Sequence, residues 1–242
     1  AKELLKFPVN VSFENLGKNV NSVYSDYYPF IPSDESFLIF NSCRDDESTQ
    51  MPNGRYLSNI YMSGVESGEF GTAKLINSTI NSKEDIEEVV GLNSTGDRAI
   101  IYKEIYPKGS AIYECNIIEK RVESLKKLPK TINSKYIEIA ASLSTDGSRM
   151  YFASDRPGGY GGVDLYMCQR LPNGTWSQAQ NLGPTINTIE DEDFPNISPD
   201  GKALYFSSKG HTSMGGYDIF KATWNHSKRK FGAVRNIGYP IN

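Results

Sequence analysis

An apolar residue followed by asparagine recurs along the chain, at Val20-Asn21, Ile80-Asn81, Ile132-Asn133, Ile186-Asn187 and Ile241-Asn242. The asparagines lie 60, 52, 54 and 55 residues apart. A strand-ending Leu or Ile stands a few residues before each pair, at Leu16, Leu75, Leu128, Leu182 and Ile237. A period of this size means one supersecondary unit copied along the chain. No copy can bury both of its apolar faces alone, so the copies must stack.

The contents of the copies show what the unit is. The fourth, from Asn187 to Gly238, and the third, from Asn133 to Gly183, align almost residue for residue. Each parses as four short strands. The first leads into Asp146-Gly147 or Asp200-Gly201, with Asp34-Glu35 and Gly96-Asp97 as counterparts in the earlier copies. Asp-Gly between apolar runs marks a hairpin, because such turns need residues that tolerate φ > 0. The second strand alternates, as in Met150 to Ala153 and Leu204 to Ser207. A glycine-rich loop follows, then a third strand at Asp164 to Met167 and Asp218 to Lys221. Outer strands run near Gln178 to Leu182 and Ala233 to Ile237. The 15 tyrosines and 11 phenylalanines suit pleated, half-buried surfaces. Four antiparallel strands per repeat predict an all-β chain, a β-propeller with blades at about 21–75, 81–128, 133–182 and 187–237.

The ends follow the same bookkeeping. Residues 1–8 read as the end of a preceding helical region, with a short helical turn. Val9 to Leu16 match an outer strand whose three inner partners do not precede it. The propeller domain is therefore expected over 9–242, incomplete at its C-terminus.

Several residues carry a resemblance. The stretch Phe194 to Ser208, FPNISPDGKALYFSS, resembles the Pro-Asp type of WD-like propeller repeat found in TolB. The segments Ser154 to Tyr166 and Gly215 to Phe220 resemble the version in Bacteroidota outer-membrane proteins of the OmpA family. The entry KFPVNVSFENLGKNVNSVYSDYYPF is similar to the junction between helical repeats and propeller in PorE-type components of type IX secretion. The first two copies depart from the pattern, with Asn59 and Ala111 where Asp164 and Asp218 stand. The resemblance implies a periplasmic propeller associated with the outer membrane. It implies envelope proteins as partners and attachment to peptidoglycan through a domain outside this chain.

The residues offer few catalytic constellations. His211 and His226 lie near no cysteine and in no metal-ligand spacing, and no G-x-S-x-G elbow or phosphate loop occurs. No cofactor or metal is expected. Cys43, Cys115 and Cys168 read as small, strand-packing residues. A net charge of -3 argues against nucleic acid, and no apolar run reaches the length of a membrane span.

Acidic residues do recur. Asp26, Glu138 and Glu192 each follow the repeat asparagine by five residues, and Glu87 does so with one residue inserted. One reading is a carboxylate ring that binds a ligand, or supplies the acid-base pair of a five-bladed glycoside hydrolase. The competing reading is that each accepts backbone N–H bonds from a neighbouring blade's turn, since a feature of every copy serves the repeat. Arg156, Tyr160, Lys209 and His211 sit in glycine-rich loops, where binding residues concentrate on rigid scaffolds. The tract Asn225 to Lys230 is a short basic turn. The expectation is a non-catalytic interaction or scaffolding module, with a glycan-binding module or glycoside hydrolase as the alternative.

Overall fold

A computed structural model describes residues 4–44, 57–76, 80–82, 85–105 and 107–242. The chain is all-β, with one 3-10 turn at Leu4–Lys6. Among the described residues no helix is long and apolar enough to cross a membrane. The backbone forms two compact units, residues 14–128, and residues 1–13 with 129–242.

In residues 14–128 the first sheet contains β1 (Asp26–Phe30), β2 (Phe37–Ser42), β3 (Asn59–Glu66), β4 (Glu69–Phe70) and β5 (Lys74–Leu75). They are antiparallel neighbours in the order β1-β2-β3-β4, with β5 also paired to β3. The second sheet runs β6 (Ile86–Leu92), β7 (Arg98–Ile105), β8 (Gly109–Ile118) and β9 (Arg121–Lys127), also antiparallel. The sheets meet face to face through Phe37, Ile39, Ile60 and Met62 from the first and Val89, Ala99, Ile101 and Cys115 from the second. These are alternate residues of their strands, so one pleat face of each sheet supplies the core.

The other unit repeats the plan. One sheet is β10 (Glu138–Leu143), β11 (Arg149–Ser154), β12 (Asp164–Gln169) and β13 (Gln180–Asn181). The next is β14 (Glu192–Ile197), β15 (Ala203–Ser208), β16 (Asp218–Asn225) and β17 (Lys230–Asn236). Tyr151, Ala153 and Leu165 pack against Leu204, Phe206, Phe220 and Ala222.

Turn chemistry follows the sequence. Gly96, Gly147 and Gly201 all hold positive φ in the first hairpin of their blades. In the first blade Glu35 takes that position at φ 53°, a conformation that costs a residue with a Cβ. Every innermost strand carries a β-bulge, at Tyr27/Phe30, Val89/Gly91, Glu138/Ala141 and Asp193/Asn196.

The recurring asparagine acts as a staple. Asn81 Oδ1 accepts the Ile60 N–H at 2.8 Å, and its Nδ2 donates to Ile60 O at 3.2 Å. Asn187 does the same for Leu165, at 2.8 and 3.0 Å, in a buried setting. Asn242 does it for Ile219, at 2.7 and 2.9 Å. The side-chain amide imitates a strand neighbour, so the entry of one blade fastens to the third strand of the blade before it. Three of the turns carry a further asparagine six residues upstream, Asn15, Asn181 and Asn236. Each accepts the staple's Nδ2–H and the N–H of a following positive-φ glycine, Gly17, Gly183 or Gly238.

The expected outer strand at Val9 to Leu16 carries this turn at Asn15 to Asn21 but joins no ladder among the described residues. Its backbone touches the blade 4 exit through Val9 N–H donating to Tyr239 O at 2.8 Å.

Candidate binding elements

Strand register places the four acidic residues at equivalent positions. Asp26 lies opposite Ser42, Glu87 opposite Lys103, Glu138 opposite Ser154 and Glu192 opposite Ser208.

Each carboxylate closes the entry turn of its own blade rather than a neighbour's. The residue after the repeat asparagine is Ser or Thr, and the carboxylate accepts both its N–H and its hydroxyl. For Glu192 the distances from Thr188 are 2.7 and 2.7 Å, and Ser208 Oγ adds a third bond at 2.7 Å. Glu138 accepts from Ser134 N and Oγ, Ser154 Oγ and Arg156 Nη2, the last at 2.9 Å. Asp26 accepts from Ser22 and from Arg44 Nη2 at 2.7 Å. Glu87 accepts from Ser82, and its Oε1 faces Lys103 Nζ at 2.9 Å as an ion pair without hydrogen-bond alignment. Glu87, Glu138 and Glu192 are buried, Glu87 and Glu192 fully so, and Asp26 is half-buried. Burial opposes the charge on Asp26, yet its hydrogen bonds from Ser42, Arg44 and Ser22 hold the pKa below the usual carboxylate value.

Arg156 and His211 belong to the same construction. Arg156 lies over the rings of Phe152 and Tyr166, at 4.8 and 5.0 Å, and donates to Ile132 O at 2.8 Å. Arg44 repeats this over Phe40 and Tyr61, donating to Val20 O. In the fourth blade His211 replaces the arginine. It packs on Phe206 and Phe220, with Nε2 2.9 Å from Ile186 O. The sequence did not reveal Arg44 and Lys103 as partners, because Lys103 stands on the strand opposite its carboxylate and Arg44 just past the end of such a strand.

The glycine-rich loops differ between blades. In the third, Asp164 accepts the N–H groups of Tyr160 and Gly161, at 2.6 and 3.0 Å, and so shapes the loop. A Cβ on Gly161 would collide with the carbonyls of Glu190 and Thr188, so this loop lies directly on the next blade's entry turn. In the fourth blade Asp218 takes the Met214 N–H at 2.6 Å, but Gly215 and Gly216 have open space around them. The structure joins Lys209 to Asp191 at 2.7 Å and sets its ammonium 4.6 Å from the Tyr217 ring centre. Tyr160 is half exposed and Tyr217 nearly so. Close by in sequence, Asp193 is buried beside no ion-pairing cation. Burial raises its pKa to about 6, the Phe194 N–H opposing that and the Asp191 charge adding to it.

Burial also lifts the thiols of Cys115 to about 12 and of Cys168 to about 11, which removes them as nucleophiles near neutral pH. Among the described residues, no group of three or more His, Cys, Asp or Glu is placed to hold a metal ion.

No family model matches the chain, and no curated protein matches its sequence. Solved structures do match. TolB from Acinetobacter baumannii superposes with a TM-score of 0.60 at 17% identity, covering 91% of this chain and 45% of that one. The putative TolB from Agrobacterium tumefaciens gives 0.53 at 18% identity, covering 85% of this chain and 62% of that one. A puromycin-hydrolyzing peptidase of Mycobacterium tuberculosis gives 0.49 at 12% identity. The chain thus spans less than two thirds of either TolB structure. At these identities the likeness establishes the fold, and that fold is a TolB-like β-propeller.

Proposed function

We propose that this chain is a non-catalytic protein-interaction and scaffolding propeller of the periplasm. Its setting is a peptidoglycan-associated, OmpA-family envelope protein linked to type IX secretion. Other envelope proteins are its partners, and the peptidoglycan attachment lies in a domain outside this chain. The observation behind the reading is a division of labour among polar groups. The acidic residue common to all blades is bonded within its own blade and buried in three of the four, whereas Tyr160, Lys209 and Tyr217 stand at the surface on loops held by rigid strands. A glycosidase needs two carboxylates free to meet a substrate, and each of the four here is taken up by the N–H and hydroxyl of its own entry turn. The glycine-rich loop pattern Gly161-Gly162-Val163-Asp164 and Gly215-Gly216-Tyr217-Asp218, with the N-terminal junction, supports the envelope setting.

The test is photo-crosslinking. A benzophenone amino acid is placed at Tyr160 or Tyr217, with Ile118, an exposed residue at a hairpin end, as the control. Discrete crosslinks to an envelope protein from the loop positions and none from Ile118 are expected. Crosslinks from all three alike, or hydrolysis of a glycan by the purified chain, would overturn the reading.

A further inference from the structure

The basic turn Asn225 to Lys230 has no part in the construction described above. It joins β16 to β17, with Arg229 at φ 49°, and both Arg229 and Lys230 are exposed. With Arg149 from β11 they edge a cleft of 290 Å³ between the third and fourth blades. Its other walls include Trp224, Phe231 and Gln180. No acidic side chain lines it, in a chain whose net charge is -3. Among the described residues none of the three cations is within ion-pair distance of a carboxylate.

We propose that this cleft docks an extended acidic segment of a partner protein, which deepens the interaction reading above and rests on it. Three observations select that occupant. Three cations around one concavity, none of them in an ion pair among the described residues, call for carboxylates. The Trp224 ring is already faced by the Arg149 guanidinium at 5.6 Å and by the Phe231 edge at 5.0 Å, so it offers no free platform for a sugar. Finally, β13 is the outermost strand of its sheet, only two residues long, and Gln180 on it lines the cleft. An edge strand presents backbone donors and acceptors that another peptide can pair. Alternate residues of an extended segment project to one side, which brings its carboxylates together against the basic wall.

A groove in the other unit provides the contrast. It is larger, at 1080 Å³, and carries Lys74, Lys120 and Arg121, but Glu66 and Glu123 share its walls.

Fluorescence anisotropy of a fluorescein-labelled hexapeptide, three Glu-Val repeats, with the full 242-residue chain tests the proposal. Saturable binding that weakens as salt rises is expected, with none for the Gln-Val peptide. The triple variant R149Q/R229Q/K230Q should bind at least tenfold more weakly, and K74Q/K120Q/R121Q as wild type. The double variant R229Q/K230Q, confined to exposed positions, should weaken binding without altering the melting temperature. Absence of saturable binding to wild type, or equal loss in both triple variants, would overturn it. So would preference for labelled trigalacturonate, which would assign the cleft to an anionic sugar. If the wild-type loops give their crosslinks while the peptide fails to bind the wild-type chain, the cleft falls and the interaction reading stands. If the peptide binds as expected while the loops capture nothing, the reverse holds.

Discussion

Glu138 shows how much a single buried carboxylate depends on its surroundings. It is 3% exposed and meets Arg156, Ser154 and Ser134. Replacing Arg156 by Met leaves the charge buried without its cation, which should cost about 3–5 kcal/mol in urea unfolding. The double variant E138Q/R156M should recover much of that loss, since no uncompensated charge remains. Asp193 behaves in the opposite sense. Its folded pKa of about 6 lies above its unfolded value, so its contribution is present below about pH 4 and lost as pH rises through 6. Asp193→Asn keeps an acceptor for the Phe194 N–H and removes the charge. It should therefore raise the melting temperature at pH 8 and leave it nearly unchanged at pH 4. The recurrence of the acidic residues was legible in the sequence, because it follows the repeat. Their surroundings were not, because Ser208, Ser154 and Lys103 meet their carboxylates from the opposite strand, at an offset only the ladder reveals. The raised pKa of Asp193 was equally hidden, since a run of three acidic residues gives no sign of which one the fold buries.

At the level of strands and turns, identical motifs carry unequal weight. Asn187 fastens Leu165 in a buried setting, and Asn242 fastens Ile219 in an exposed one. Replacement of Asn187 by Ala strands a buried N–H and C=O, and should cost about 2–4 kcal/mol with faster hydrogen exchange at the Leu165 amide. The same change at Asn242 lets water take the vacated bonds and should cost under about 1 kcal/mol. Glycine pairs diverge in the same way. Gly161→Ala drives a methyl into two carbonyl oxygens and should destabilise markedly, whereas Gly215→Ala meets open space and should shift stability by under about 0.5 kcal/mol. Glu35→Gly should stabilise by up to about 1 kcal/mol, since glycine takes φ 53° without a Cβ clash. Calorimetry on these variants checks all of them. The hairpins were legible because Asp-Gly dictates its own backbone. The outer strand expected at Val9 to Leu16 forms no ladder among the described residues and only its exit turn is present, since ladder pairing is set by partners and not by the strand's own residues.

For the whole molecule, the period alone fixed the architecture. Each sheet has the same antiparallel order, and the repeat asparagines fall between sheets. The thiols give a global readout of that packing. Cys115 and Cys168 are buried and Cys43 is partly accessible. Ellman's reagent should modify one thiol readily in the native state and all three in denaturant. Protection of Cys115 and Cys168 should fail only on unfolding, so the slow phase reports stability of both units at once.

The asparagine hook has a consequence for how such a chain can lengthen. The hook travels with the blade it opens and grips the main chain of the third strand of the blade before, with the asparagine six residues upstream as its one side-chain partner there, so its grip is indifferent to the other side chains those strands bear. A duplicated copy therefore arrives with its own means of attachment and needs no matching change in its neighbour. Blade interiors are free to diverge, as the second copy has, while the joints between blades remain interchangeable.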